Sequence, residues 1–266
     1  MSAVGDVLNR EFDLRHRPQP GDTSRYRMEA CYRLLDGQGQ VRNTDSYVGE
    51  FQRVCEPATT PGVTSELITW TNVIKRWATE DQPYEAPEAI DWAEGFSYRF
   101  TSAMDFPELN AEILRNAPDF PRDLIGWNIL LLAIDAHVEF DLPRTTPAEV
   151  GKLKRVGDEV LITFDGESVI EFGPLRAVFQ AVDHFNRFTA LTLDGGALCG
   201  ILESDIPSRV PLTMHMDGHP MEGSSSLVRK MVIRAEDGAL QSGTSIEFVC
   251  TDGMWINSIY SIEPLS

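Results

Sequence analysis

The stretch that decides the fold is residues 226–262, SLVRKMVIRAEDGALQSGTSIEFVCTDGMWINSIYSI. It contains three runs of alternating apolar and polar residues, which are Ser226–Ala235, Leu240–Cys250 and Met254–Ile262. The dipeptides Asp237-Gly238 and Asp252-Gly253 separate the runs. Asp and Gly tolerate the positive φ of a tight hairpin turn, so an Asp-Gly pair between alternating runs predicts a β-hairpin. The stretch therefore predicts a three-strand antiparallel meander.

The same pattern of Asp-Gly turn signals between strand-like runs extends toward the N-terminus. The six Asp-Gly pairs begin at Asp36, Asp165, Asp194, Asp217, Asp237 and Asp252. The runs Arg25–Leu35, Val41–Cys55 and Glu66–Trp77 are also typical of strands, and the first alternates cleanly between apolar and polar residues. Because a three-strand sheet has little core of its own, we expect these N-terminal strands to join the same sheet as the C-terminal meander.

Helical patterns concentrate in the middle of the chain. Glu108–Asn116, residues 121–136 and Pro147–Arg155 have helical spacing, and the second is apolar around most of its circumference. Leu175–Phe185 fits helical spacing too, although hairpin signals flank it, and we interpret it as a helix. The acidic region 79–123 contains five prolines, which predicts a long connection rather than regular sheet.

The order of strands, helices and strands, without β-α-β alternation, predicts an α+β fold. We expect a predominantly antiparallel sheet, a curved meander or half-barrel, with a central helical insert at about 105–155 packed on one face. Residues 1–24 are predicted to form an N-terminal extension, and residues 25–266 a single domain. At the level of architecture, this arrangement is similar to bacterial lipoprotein-carrier half-barrels.

Composition excludes several classes of protein. The chain has 23 basic and 41 acidic side chains, a net charge of −18, so no nucleic-acid partner is expected. The longest uncharged apolar stretch, Leu124–Ile134, is much shorter than the roughly 20 residues of a membrane-spanning helix. The four cysteines form no C-x-x-C pair, which argues against a cysteine zinc site. The N-terminal residues do not resemble a signal peptide, so we expect a cytoplasmic protein.

The segment MHMDGHPM at 214–221 holds two imidazoles, three thioethers and a carboxylate. Thioether and imidazole ligands suit copper, and a turn at Asp217-Gly218 could bring His215 and His219 together. The alternative is a hairpin turn that carries two exposed histidines. We therefore expect no cofactor, with a copper or zinc ion at His215 and His219 as the alternative.

The segment DAHVEFD at 135–141 is the second polar cluster. If it is extended, His137, Glu139 and Asp141 lie on one face and could form an acid–base set or a cation site. If the preceding helix continues, His137 pairs with Asp141, and Asp135 pairs with Glu139. His137, Glu139 and Asp141 are the candidate catalytic residues. The alternative is an amphipathic helix end or an edge strand with solvated charges.

Three functions are compatible with the sequence. The preferred one is a non-enzymatic binding or scaffold protein that holds an apolar small molecule or a protein partner on its curved sheet. Its candidate ligand-binding residues are Trp70, Trp127 and Leu131, from a strand and from the most apolar helix. The alternatives are a metal-assisted hydrolase or lyase that uses one of the histidine clusters, and a structural or assembly subunit.

Overall fold

A computed structural model describes residues 10–79, 87–117, 124–145, 150–164, 168–172, 175–179, 182–206, 210–216, 219–251 and 254–265. The strands are β1 Thr23–Asp36, β2 Val41–Glu56, β3 Ser65–Thr79, β4 Glu88–Ala89, β5 Ser97–Thr101, β6 Glu159–Phe164, β7 Ser168–Phe172, β8 Leu175–Phe179, β9 Val182–Asp194, β10 Ala197–Asp205, β11 Val210–Met216, β12 His219–Arg234, β13 Leu240–Thr251 and β14 Met254–Pro264. The helices are α1 Phe106–Asn116, α2 Leu124–Phe140 and the single turn α3 Leu142–Thr145, with a 3₁₀ turn at Asp91–Ala93.

All the strands belong to one antiparallel sheet. Its main path runs β4-β3-β2-β1-β14-β13-β12-β10-β9-β6, so β1 and β14, the first and last described strands, pair in the interior of the sheet. The long strand β12 pairs with β10 along one half and with β11 along the other. The path is not closed, and the predicted α+β fold, a curved antiparallel sheet with a helical insert on one face, is confirmed.

The hairpin signals mostly mark real hairpins. Paired strands flank five of the six Asp-Gly pairs, namely those beginning at Asp36, Asp194, Asp217, Asp237 and Asp252. The strands around Asp165 instead pair elsewhere, β6 with β9 and β7 with β8. The dipeptides at 165–166, 217–218 and 252–253 themselves lie outside the described residues.

Three sequence-based assignments are corrected. Leu175–Phe185 is not a helix: β8 and the start of β9 occupy its described residues, because β8 pairs with β7 on one side and β11 on the other. The predicted connection at 79–123 contains β5, which pairs with β3 and is free of proline. In Pro147–Arg155, Val150 is helical, but Gly151 and Lys152 form a turn and the helix does not continue to Arg155; residues 147–149 are outside the described part.

Helix α2 crosses the inner face of the sheet. It continues four residues past its predicted end, to Phe140, and its side chains at Leu130, Leu132 and Ile134 are buried in the core. The helix passes close to Gly243 in β13, since a Cβ there would lie 2.6 Å from the Phe140 ring. Within the described residues, no helix is long and apolar enough to cross a membrane.

The segment before β1 packs onto the domain. Phe12 and Leu14 are buried, and the Phe12 ring contacts the Phe188 ring with centroids 6.1 Å apart. The backbone NH of Phe12 donates to the carbonyl oxygen of Lys154, and the backbone NH of Arg17 donates to the carbonyl oxygen of Asp237. Both distances are 2.8 Å. The described part of the predicted N-terminal extension therefore contributes side chains to the core.

Candidate functional site

The C-terminal half of α2 carries Asp135, His137 and Glu139 toward the inner face of the sheet, and Asp141 follows directly after the helix. Because the segment is helical through Phe140, the helical alternative holds, and the extended arrangement with all three candidates on one strand face is wrong. His137 and Asp141 are one turn apart, and the His137 Nδ1 lies 2.7 Å from the Asp141 Oδ2. The helix periodicity separates Glu139 from this pair, so the structure brings only two of the three candidates together.

Asp141 is the centre of a buried ionic network. The Arg53 guanidinium donates to both Asp141 oxygens at 2.8 Å, and Arg144 donates to the Oδ1 at 2.5 Å. Arg53 also donates to Glu66 at 2.9 Å, and the Glu66 Oε1 lies 3.2 Å from the His16 Nε2. The network thus connects the N-terminal segment, β2, β3 and the end of α2.

The charges in this network stabilise one another. Burial opposes ionisation of Glu66, but the Arg53 guanidinium and the hydrogen bond from His16 together outweigh burial and lower the pKa of Glu66 to about 2. Burial likewise acts against Asp141, yet Arg53 and Arg144 hold its pKa well below the usual range. Burial lowers the pKa of His137, which is therefore neutral at neutral pH. Two arginines and two ionised carboxylates remain, so the network is electrically balanced.

His137 connects the network to the aromatic core. Since the ionised Asp141 only accepts, the His137 Nδ1 donates to it, and the Nε2 accepts from the Tyr98 hydroxyl at 2.8 Å. The Trp70 Nε1 donates in turn to the Tyr98 oxygen at 3.3 Å. The His137 ring also stacks on Phe100, with centroids 4.4 Å apart. This series of hydrogen bonds therefore ends among closely packed aromatic side chains.

Glu139 belongs to a second group of polar side chains between α2 and the sheet. Arg229 and Ser245 donate to its Oε2 at 2.8 and 2.6 Å. Nearby, the Tyr32 hydroxyl donates to Asp135 at 2.7 Å. Burial, reinforced by the charge of Glu139, raises the pKa of Glu247 to about 7. Within the described residues, Arg229 is the basic side chain that pairs with this group of carboxylates.

The His137–Asp141 pair resembles the orienting half of a catalytic dyad in its geometry, but it is enclosed. The side chains of His137, Asp141 and Arg53 are at most 3% exposed, and Tyr98 is 2% exposed. A general base must come within hydrogen-bond reach of a substrate proton. The described packing of these groups instead supports a structural role, in which ion pairs dock the helix onto the sheet.

Sequence reasoning missed Arg53, Glu66, Arg144 and Tyr98, although a signal for two of them is present. Arg53 falls two residues after the buried Phe51, and Glu66 falls two residues before the buried Ile68. Side chains two apart in a strand share a face, so both charges occupy inward positions. A charge at an inward position of a long strand predicts a buried partner, and opposite charges on adjacent strands predict each other.

The other candidate residues are dispersed. Trp70 is buried and packs against Phe51, with the two rings tilted and their centroids 4.7 Å apart. The side chains of Trp127 and Leu131 lie outside the described set, and their role stays a prediction. His215 is paired with Pro220 and His219 with Met216, so the register places the two histidines on opposite faces of the hairpin. Within the described residues, no group of three His, Cys, Asp or Glu side chains is placed to hold a metal ion.

The opposite face of the sheet carries large exposed apolar side chains. Val228, Ile246, Phe248 and Trp255 are 62%, 40%, 47% and 40% exposed. They lie on β12, β13 and β14, where Val228 is paired with Ile246 and Ile246 with Ile259. In this part of β13 the usual pattern is inverted, because the polar Ser245 is buried while the apolar Ile246 and Phe248 are exposed. We call Val228, Ile246, Phe248 and Trp255 the outer patch.

A concavity of about 280 Å³ adjoins the outer patch. It is lined by Ser224, Ser226, Phe248, Val249, Cys250 and Trp255. Phe248 and Trp255 lie on adjacent strands, two register positions apart, so the two rings are diagonal neighbours across β13 and β14. The serines of β12 are paired with Phe248 and Cys250, which places hydroxyl groups beside the aromatic rings.

Comparison with known proteins identifies no family. No protein-family model matches the chain, and no curated protein matches it. A lipovitellin structure has 11% identity and a TM-score of 0.48 over 93% of this chain, and this chain spans a quarter of the lipovitellin chain. DynF from the dynemicin biosynthesis pathway of Micromonospora chersina has 6% identity and a TM-score of 0.27 over 93% of this chain and 82% of its own. The β domain of the Bordetella autotransporter BrkA has 8% identity and a TM-score of 0.32 over 91% of this chain and 98% of its own. Likenesses this low carry no argument about function.

Proposed function

We propose that the protein is a non-enzymatic binding protein and that the outer patch, with its concavity, is the binding site. The observation that carries the proposal is the contiguous exposure of Val228, Ile246, Phe248 and Trp255 on one face of three adjacent strands. Single exposed apolar residues are common, but a contiguous group of large ones marks an interaction site. The inverted pattern of β13 strengthens this argument, because folding alone gains nothing from exposing its apolar face.

The concavity indicates the class of ligand. Its volume of about 280 Å³ is at the lower end of the range for small-molecule sites, so it suits a compound of a few rings. The faces of Phe248 and Trp255 favour a flat apolar group, and Ser224 and Ser226 offer hydrogen bonds at its edge. A net charge of −18 disfavours anionic compounds. The expected ligand is therefore a neutral aromatic or polycyclic compound.

The buried network supports the same conclusion from the other side of the sheet. Its carboxylates and arginines are consumed in mutual contacts, and the described packing leaves His137 enclosed. The chemistry that could serve a reaction is thus used for docking α2. A hydrolase or lyase activity rests on residue types alone, whereas binding rests on an accessible surface.

Titration with Nile red, a neutral apolar dye, tests the proposal. We expect saturable binding to the wild type with a blue-shifted emission, and at least about tenfold weaker binding to F248S and W255S, since each loses the area of one aromatic ring. The matched control is L193S, which removes a side chain that is 73% exposed at the distant β9–β10 turn.

Two results would overturn the proposal. One is a wild type that does not bind the dye; the other is binding by F248S and W255S that equals that of L193S while all three remain folded by circular dichroism. Light scattering on the same samples separates a small-molecule site from a face that a second copy covers. Dimerisation lost in F248S would replace the ligand with an assembly role.

A further inference from the structure

A second concavity, which shares no lining residue with the outer patch, opens beside the N-terminal segment. It has a volume of about 290 Å³ and a polar wall. Its lining residues are His16, Pro18, Asp22, Thr23, Ser24, Tyr26, Glu66, Arg234, Asp237 and Ala239. These come from the N-terminal segment, β1, β3, the end of β12 and the turn between β12 and β13. The concavity reaches the edge of the buried network at Glu66.

His16 forms part of this wall and has an unused hydrogen-bonding atom. Its side chain is 7% exposed, and the Nε2 lies 3.2 Å from the Glu66 Oε1. The His16 Nδ1 is buried and has no hydrogen-bond partner in the described part of the chain. A buried polar atom without a partner is costly, so it calls for a group that the described part of the chain does not supply.

The network fixes which proton His16 carries. Glu66 is held ionised by Arg53, and an ionised carboxylate only accepts hydrogen bonds. The His16 Nε2 must therefore carry the proton that it donates to Glu66. Burial and the nearby Arg144 lower the pKa of His16, which favours the neutral ring. The Nδ1 of a neutral ring protonated at Nε2 is an acceptor, so its missing partner is a donor.

The charge around the concavity selects the donor. Arg234 is ion-paired with Asp237, and the charges of the network behind Glu66 balance. Asp22 lies on the exposed part of the wall, where its carboxylate accepts from the backbone NH of Gln19 at 2.7 Å. Within the described residues, no basic side chain pairs with Asp22, which leaves one net negative charge at the mouth.

We propose that this concavity, which we call the His16 site, binds a small primary ammonium compound. One ammonium N–H is donated to the Nδ1 of His16, and the positive charge lies against the carboxylate of Asp22. Hydroxyl groups of Thr23 and Ser24 line the same wall for further polar contacts. This site and its ligand are independent of the apolar binding proposed for the outer patch.

Calorimetric titration with n-butylammonium and n-butyltrimethylammonium tests both parts of the proposal. The two cations share their charge and alkyl chain, but only the first has N–H donors. We expect saturable binding of n-butylammonium and binding of the trimethyl compound that is at least about tenfold weaker, the scale of one hydrogen bond to a charged group. The Nδ1 resonance of His16 should shift only on addition of the primary ammonium.

Two variants locate the site. In H16Q the side-chain amide can still donate to Glu66, but the Nδ1 acceptor is gone, so affinity for n-butylammonium should fall about tenfold or more. D22N, which lies outside the buried network and so preserves the fold, should weaken both cations through the loss of charge. H219Q, at an exposed histidine of the distant β11–β12 hairpin, is the control and should bind like the wild type.

The outcomes are decisive. Absence of saturable n-butylammonium binding by the wild type would overturn the proposal and indicate that water satisfies the Nδ1. Equal affinity for the two cations would overturn the assigned hydrogen bond, and unchanged affinity in D22N would overturn the assigned site. If H16Q does not fold, the comparison of the two cations and the D22N variant still test the proposal. None of these results changes the expectation for Nile red at the outer patch.

Discussion

Asp141 shows how single residues in this protein connect distant elements. It accepts hydrogen bonds from side chains on β2, α2 and α3, and each partner keeps a full or partial positive charge near it. A lone buried carboxylate would be neutralised by protonation, but here two guanidinium groups hold it ionised. Stability from Asp141 and Glu66 is therefore fully present above their unfolded pKa values, and it is lost as the pH falls through the lowered folded values.

The contribution of Glu247 to stability depends on pH in the opposite direction. Its pKa is raised from 4.5 to about 7 by burial and by Glu139, so its contribution to stability is fully present below pH 4.5 and is lost as the pH rises to about 7. The charged and titratable groups that face it are Glu139 and Asp135 from α2, Arg229 from β12 and Tyr260 from β14. Ser225 donates to its Oε1 at 2.9 Å, a contact that glutamine can keep.

We expect E247Q to match the wild type at pH 5 and to exceed its free energy of unfolding by about 1–2 kcal/mol at pH 8. This is less than the full pKa shift would give, because the side chain keeps some exposure. Urea denaturation at both pH values measures the difference, and E263Q, at an exposed position of β14, is the control. A difference between E247Q and the wild type that does not change with pH would contradict the raised pKa.

At the scale of elements, the close crossing of α2 over β13 is a packing feature that the sequence does not reveal. A Cβ on Gly243 would lie 2.6 Å from two atoms of the Phe140 ring and 2.9 Å from Ile262. Real Cβ atoms do not approach this closely, so the ring or the helix must move. We expect G243A to lower the free energy of unfolding by about 1–3 kcal/mol, the usual cost of overpacking a core.

A second substitution separates crowding from a backbone effect of glycine. F140L removes part of the ring that the new methyl group would meet, so the loss in the double variant G243A/F140L should be smaller than the sum of the two single losses. Urea denaturation of the three variants measures this coupling. Strictly additive losses would show that the helix does not press on Gly243.

The elements that the sequence predicts correctly are those whose pattern agrees with their environment. The C-terminal meander has both the alternation and the turn residues, and its three strands form as expected. Leu175–Phe185 fails because its spacing suits either structure, and pairing of β8 with β7 and β11 decides between them. The end of α2 was placed too early because the partners of its polar residues lie on strands far away in sequence.

The same reasoning limits what the sequence says about sites. His137 and Asp141 could be recognised as a helical pair, but their burial depends on Arg53, which is 88 residues from Asp141. The outer patch was visible as alternation in β13, although alternation does not say which face is covered. Only the position of the helix shows that the face with Ser245 is inside and that the face with Phe248 is outside.

At the scale of the whole molecule, the question is whether the N-terminal segment is an appendage or part of one cooperative domain. Leu14 is fully buried, and it packs so closely over Gly200 that a Cβ there would lie 2.8 Å from its side chain. The segment also closes over the β12–β13 turn, where the carbonyl oxygen of Arg15 leaves no room for a Cβ on Gly238. These contacts join the first residues of the chain to strands from its last third.

We therefore expect L14A to lower the free energy of unfolding by about 2–5 kcal/mol, the cost of a cavity at a fully buried leucine. The control L193A makes the same change at a side chain that is 73% exposed, so it should cost less than about 0.5 kcal/mol. Tryptophan fluorescence and far-UV circular dichroism should report one coincident transition in both variants, since Leu14 and the sheet unfold together. If L14A is no less stable than L193A, the segment is peripheral, and the domain begins near residue 25. A transition of L14A that separates into two steps would instead show that the segment and the sheet unfold independently, because a cooperative domain distributes a local loss over the whole molecule.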